Sequence, residues 1–151
     1  MITLEPVTPA NLDDALAIHV APDQEHLVRP VVTSLAEAYV HPDVAWPRLV
    51  VDDGVAVAFV MAFVGSAWED DPADVRSGLW RLNVDQVHQA RGYGRFAVLA
   101  VCDELRARGM DACYVTYHRG EGTPEPFYRR LGFRPTGETS EGQAVARLAL
   151  R

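Results

Sequence analysis

The sequence predicts an α/β (α+β) chain, with one mixed, mostly antiparallel sheet of about six or seven strands and helices on both faces. Three observations predict it. Strand-like segments, alternating or β-branched, are interleaved with helix-like ones along the chain. Tight-turn residues join the middle strands directly, which only antiparallel neighbours allow. The 151 residues are 48% hydrophobic, enough for one core in a single domain over 1–151 and too few for two.

In order, Ile2, Leu4 and Val7 alternate as a short strand that Pro6 and Pro9 end. Asn11 with Asp14 opens a first helix through His19, because short polar side chains accept the unpaired amides of a helix start. An irregular stretch around Pro22 and Pro30 follows. Ser34-Leu35-Ala36-Glu37 has the capping-box spacing, which predicts a second helix from Ser34 to about Tyr39. Arg48–Val51, the turn Asp52-Asp53-Gly54 and Val55–Val64 read as strand, turn and strand. Ser66–Ser77 is acidic and turn-rich, and Gly78–Val84 is a further strand. From Gly92 to Arg108, Phe96, Leu99, Cys102 and Leu105 form the expected apolar stripe of the longest helix, which Gly109 stops. Ala112–His118 is a strand by its aromatic and β-branched content. Thr123-Pro124 starts a short helix ending near Leu131-Gly132. Phe133–Thr136 and Gln143–Leu150 complete the sheet.

Composition excludes several functions. All fourteen basic residues are arginines, and 21 acids leave a net charge of −7, a field that repels phosphate backbones and argues against nucleic acid as a partner. No apolar run reaches the ~18–20 residues of a spanning helix, so no membrane association is expected. The start lacks the basic-then-apolar profile of a signal peptide, and a cytoplasmic location is expected. Two cysteines, Cys102 and Cys113, make neither a disulfide framework nor a zinc site, and both fall on core positions. His19, His26, His41 and His88 show no ligand spacing, so no metal is expected.

The informative stretch is Gln89-Ala90-Arg91-Gly92-Tyr93-Gly94, between a strand ending near Val84 and the long helix. Two glycines at a helix start let the backbone turn tightly and aim several amides at one point, where they and the helix dipole suit an anion such as a pyrophosphate. A purely structural turn explains the same residues. The third glycine of a dinucleotide fingerprint is replaced by Ala97, and the Gly-Lys-Ser/Thr ending of a Walker loop is missing.

A second motif lies downstream, Phe127-Tyr128-Arg129-Arg130-Leu131-Gly132-Phe133, beyond the strand Ala112–His118. With Gln89, Gly92 and Gly94 matching Gln/Arg-x-x-Gly-x-Gly/Ala, the chain resembles the GNAT family of N-acetyltransferases over essentially its whole length, most strongly from Leu79 to Glu138. Gln24, Val28 and Ser34–Tyr39 add a softer resemblance to the bacterial spermidine and diamine branch. The resemblance implies acetyl-CoA in a V-shaped opening between the strand ending at Val84 and the strand Ala112–His118. It implies that the backbone at Val84 and Asp85 pairs with the pantetheine arm. Gln89, Ala90, Arg91, Gly92, Tyr93, Gly94 and Arg95 would then hold the pyrophosphate end. Homodimers are common in the family.

The resemblance also implies direct attack of a primary amine on the thioester. Tyr128 matches the tyrosine that protonates the departing sulfur. A phenol stays protonated at neutral pH, as that role requires; packing alone is the other reading of Tyr128. Some polyamine acetyltransferases carry a glutamate base at the position that is Trp80 here. His118, at the end of a wall strand, is the alternative base, since imidazole titrates near neutrality as a residue type. Its other reading is a half-buried structural strand-end histidine, with bulk water taking the proton. Glu25, together with Trp80, is expected on the acceptor wall, and Glu121, Glu138 and Glu141 are further carboxylates in reach. The acidic run Glu69-Asp70-Asp71 is expected at a hairpin tip remote from the thioester. The expected function is acetyl-CoA-dependent N-acetylation of a small-molecule amine, polyamines or diamines first. Alternatives are detoxification of an amine-bearing antibiotic or metabolite, and a non-catalytic acyl-CoA-binding regulatory module.

Overall fold

In the computed structural model, which describes residues 1–151, seven strands form one sheet in the order β1-β2-β3-β4-β5-β7-β6. The strands are β1 (Ile2–Glu5), β2 (Ala45–Asp52), β3 (Val55–Trp68), β4 (Asp71–Val84), β5 (Ala112–Tyr117), β6 (Arg134–Ser140) and β7 (Gln143–Ala149). Every neighbouring pair is antiparallel except β4 with β5. The helices are α1 (Leu12–Leu16), α2 (Val31–Val40), α3 (Tyr93–Ala107) and α4 (Glu125–Arg130).

Each face of the sheet has its own core. On one, Ala97, Val98, Val101 and Leu105 of α3 and Tyr128 of α4 pack with Val60, Leu79, Val115 and Phe133. On the other, Ala15 and Ile18 of the α1 region and Val31 of α2 pack with Leu49, Phe59 and Met61. Burying each large apolar side chain contributes about 1.5–3 kcal/mol. No helix is long and apolar enough to cross a membrane.

Three hairpins turn in two residues. Asp53-Gly54, Glu69-Asp70 and Glu141-Gly142 all hold positive φ, the backbone that matches the twist of antiparallel strands. The second of these corrects the sequence reading. The stretch Ser66–Ser77 is not a loop: β3 continues to Trp68 and β4 begins at Asp71. Ser66, Asp74 and Arg76 are half-buried and Ser77 is buried, while Val75 is exposed, and the Arg76 guanidinium lies over both Trp68 and Tyr114, 4.6 and 4.5 Å from their ring centres. Arg76 also pairs with Asp74 and with Glu138 of β6.

Two helix details also differ. Helix α2 starts at Val31 with Pro30 at its cap, so Ser34 is interior and buried and its hydroxyl finds no partner. Glu37, freed from a capping role, pairs with Arg81 of β4 at 3.0 Å. On α3 the buried stripe runs through Tyr93, Ala97, Val98, Val101, Cys102 and Leu105, while Leu99 is exposed. Steps of three residues drift about 60° around a helix, so Phe96, Leu99, Cys102 and Leu105 cannot share one face. Cys102 and Cys113 are both buried free thiols.

Candidate active site

The site begins where the sheet comes apart. Strands β4 and β5 pair only at Gly78 and Tyr114, and beyond that point they diverge toward Val84 and Tyr117. A parallel pair that ends so early leaves the facing backbone groups of both strands without ladder partners, so an extended ligand can pair with them. The opening is a cleft of about 1620 Å³.

At one end lies the turn before α3. Asp85 caps the short 3-10 turn Gln86–His88, and Ala90 and Gly92 then hold φ of 62° and 85°. Two left-handed residues so close together turn successive amides to one side. Gly92 offers no side-chain cap to α3, so the first amides of the helix, which never have intrahelical partners, are left for a ligand. Gln89 steadies this turn. Its Nε2 donates to the Val84 carbonyl at 3.1 Å and to Oε1 of Gln24 at 2.7 Å. A Cβ on Gly94 would lie 3.4 Å from the Phe127 ring and 3.6 Å from Val84, so this part of the cleft has no room for a branched side chain.

Val84, Gln89, Ala90, Gly92, Tyr93, Gly94 and Arg95 line the cleft. Asp85 and Arg91 do not. The Asp85 carboxylate instead accepts from the His19 amide at 3.0 Å, and its own amide donates to the Val57 carbonyl. Tyr93 lines the cleft while its hydroxyl donates to Asp52, which pushes the Tyr93 pKa up.

Tyr128 also lines the cleft, 6% exposed, with its ring 5.8 Å from that of Tyr117 and nearly parallel to it. Phe127 and Phe133 meet it edge-on. Burial, and the neighbouring Cys113 when ionised, raise its phenol pKa well above the ordinary tyrosine value. A raised pKa keeps the proton on the oxygen, so the group cannot serve as a base near neutrality, and it makes the phenol a weaker acid than an ordinary tyrosine.

His118 follows β5, exposed, on the cleft wall. Trp80 is the residue without a partner where the β3–β4 register slips, since Met61 pairs with Arg81 and Ala62 with Leu79. That bulge puts Trp80 on the α2 side, with its ring near His41 and under the Arg81 guanidinium. Glu25 lines the cleft from the segment before α2, as does Glu141 from the last hairpin. Glu138 is taken up by Arg76 and does not reach it. Glu69 and Asp70 line the cleft as well, at the hairpin tip to which the long β3 and β4 extend.

Sequence reasoning missed Tyr117, Arg81 and Asn83. Tyr117, 2% exposed, lines the cleft with a buried hydroxyl that has no hydrogen-bond partner. Its signal was the inward alternation Cys113, Val115, Tyr117. For Asn83 the signal was an amide among the apolar residues of Gly78–Val84.

The sheet is thus split between its fourth and fifth strands, with an uncapped helix start at one end of the opening and a buried phenol on its wall. The sequence model of the acetyltransferase (GNAT) family matches residues 12–133, and the chain belongs to that family. It is 31% identical to a mycothiol acetyltransferase of Beutenbergia cavernae over 99 residues, which are 66% of this chain, and it spans 31% of that relative's length. Among solved structures it is similar to an acetyltransferase from Thermus thermophilus (TM-score 0.73, 23% identity, 98% of this chain and 96% of that one). It is also similar to the PaiA N-acetyltransferase of Thermoplasma acidophilum in complex with coenzyme A (TM-score 0.70, 12% identity, 99% of each chain).

Proposed function

We propose that this protein is an acetyl-CoA-dependent N-acetyltransferase that acetylates a primary amine of a small molecule, with polyamines or diamines as the first acceptors. The observation that carries the reading is the placement of Tyr128, a buried phenol on the wall of the same cleft that contains the uncapped start of α3. The family supports the coenzyme, and the lining supports the acceptor. Beyond the α3 turn, Glu25, Glu37, Glu69, Asp70 and Glu141 line the cleft against Arg29 and Arg81, a surplus of carboxylates that attracts a cationic amine.

In this reading the backbone edges of β4 and β5 hold the pantetheine arm, and the amides of Tyr93 to Arg95 hold the pyrophosphate. The amine nitrogen attacks the thioester carbon, the carbon–sulfur bond breaks, and Tyr128 gives its proton to the departing thiolate. The nitrogen loses its proton to water or to His118, the one imidazole beside β5 on the cleft wall. Such an enzyme works in the cytoplasm, where acetyl-CoA is available.

A second reading, acetylation of a bulkier amine-bearing metabolite or antibiotic, is favoured by Trp80, which supplies an aromatic wall where a polyamine enzyme can carry a glutamate. A non-catalytic acyl-CoA module would not need a protonated phenol in the cleft. Thiol release from acetyl-CoA against a panel of amines tests the three. Turnover of putrescine or spermidine supports the first reading, turnover confined to bulky amines supports the second, and coenzyme binding without any turnover leaves only the module.

A further inference from the structure

Residues 24–30, ahead of α2, all line the cleft, and one side-chain hydrogen bond joins them to the turn before α3. Gln89 Nε2 donates to Gln24 Oε1 at 2.7 Å, and the same nitrogen donates to the Val84 carbonyl at 3.1 Å. Gln89 immediately precedes Ala90, the first of the two left-handed residues of that turn. Gln24 ends the 3-10 turn Pro22–Gln24 and leads into Glu25, Val28 and Arg29. Both glutamines are half-buried and line the cleft themselves.

The bond has a fixed polarity. A carbonyl only accepts, so Val84 turns the nitrogen of Gln89 toward itself, and Gln24 must meet that nitrogen with an oxygen. The segment is folded around Gln24, whose amide donates to the Ala21 carbonyl at 2.8 Å and whose carbonyl accepts from the Leu27 amide at 2.9 Å. Its flanks are tied elsewhere. The His19 amide donates to Asp85 at 3.0 Å, the Gln86 amide to the His19 carbonyl at 2.8 Å, and Asn83 Nδ2 to the Arg29 carbonyl at 2.9 Å. Those ties reach the end of β4 and the residues just after it, whereas the tie from Gln24 reaches the turn itself. Gly92 gives α3 no side-chain cap, so an anion that takes the free amides of the turn also fixes its backbone. Whatever is docked on Gln89 is then fixed with it.

We infer that Gln24 is a positioning residue: through Gln89 it docks residues 24–30 on the coenzyme turn, so that acetyl-CoA, in fixing the turn, also fixes the part of the cleft wall that carries Glu25, Val28 and Arg29. The inference rests on the acetyltransferase reading and goes beyond it, because it assigns Gln24 an effect exerted through another residue and names the bond that transmits it.

Hydrogen–deuterium exchange on the intact protein, with and without saturating acetyl-CoA, tests this at two places, the turn (residues 90–96) and the docked segment (residues 24–29). In the wild type acetyl-CoA should slow exchange at both, in the segment by at least about threefold, as expected for tightening one hydrogen bond. Gln24→Leu and Gln24→Ala should keep the slowing in the turn and lose it in the segment. Gln24→Glu still offers an oxygen to the Gln89 nitrogen and should retain both, a rescue that a residue needed only for packing would not show. Slowing confined to the turn in the wild type overturns the docking role and leaves acetyl-CoA binding standing. Slowing in the segment that persists in the leucine and alanine variants overturns it too, since the coenzyme then acts on the segment directly. So does a glutamate variant that behaves like the leucine one. No slowing at either place in the wild type overturns the acetyltransferase reading, and the role of Gln24 with it.

Discussion

Gly78 and Tyr114 are the one ladder pair between β4 and β5, and the approach is so close that a Cβ on Gly78 would lie 2.0 Å from the Tyr114 carbonyl oxygen. The contact closes the sheet at one point and lets the strands part on the far side of it, which creates the cleft. Gly78→Ala must therefore push the strands apart where they meet. It should destabilise the protein by about 3 kcal/mol or more, because the obstacle is backbone and cannot swing away. Chemical denaturation of the purified variant checks this, and wild-type stability would mean that the strands pair differently.

Gly94→Val should weaken acetyl-CoA binding at least about tenfold while the protein stays folded. The Cβ itself fits 3.4 Å from Phe127, but the two added methyl groups must enter either that ring or the space of the coenzyme. Gly92→Asp should weaken binding as well, through left-handed strain and repulsion of phosphate. Calorimetric titration with acetyl-CoA, beside circular dichroism, separates lost binding from lost fold.

Tyr128→Phe keeps the ring stack and removes only the hydroxyl. Turnover should fall by roughly a hundredfold with acetyl-CoA affinity nearly unchanged, since the proton is needed only as the sulfur departs. Loss of less than about threefold between pH 7 and 9 would leave Tyr128 as a packing residue.

Tyr117→Phe should raise the melting temperature of the ligand-free protein. The Tyr117 hydroxyl is buried with no partner, an arrangement that costs about 1–3 kcal/mol, and phenylalanine fills the same volume against Tyr128 without that cost. A gain of a few degrees by differential scanning fluorimetry is expected; a fall would reveal a hydrogen bond to water in the folded protein.

The Arg76–Glu138 pair gives stability a pH dependence with a definite sign. Hydrogen bonds from Arg76 first, and then from Thr136, hold the Glu138 pKa below its ordinary value. A lowered folded-state pKa contributes stability above the unfolded glutamate value, and that contribution is lost as pH falls through the folded one. Stability should thus drop on acidification below the ordinary glutamate range. Arg76→Ala should lower the melting temperature at pH 7 by about 3–6 °C and flatten that acid limb. Melting curves from pH 3 to 7 for both proteins decide it.

What the sequence determined by itself was whatever depends on neighbours along the chain. Asp53-Gly54 dictates a two-residue turn because it tolerates positive φ at both positions, and Gly109 ends α3 for the same reason. The turn at Gln89–Gly94 and the short helix that carries Tyr128 were legible because a glycine turn at a helix start and a short aromatic helix are local structures with local residue requirements. Tertiary structure alone decided the rest. Ser34 has the spacing of a cap, yet Val31 is needed in the α2-side core, and the helix starts three residues earlier so that this side chain faces inward. Ser66–Ser77 is polar enough for a loop, yet Arg76 can stack on Trp68 and Tyr114 only if both strands continue. A small cavity beside the cleft, lined by residues of both the α1–α2 region and β4, is the extreme case. Glu25, Asn83 and Ile18 meet there from three separate segments, held by hydrogen bonds from His19 to Asp85 and from Gln86 to His19. A pattern read along one chain carries no distances between such segments; packing sets them, and with them the shape of the cavity.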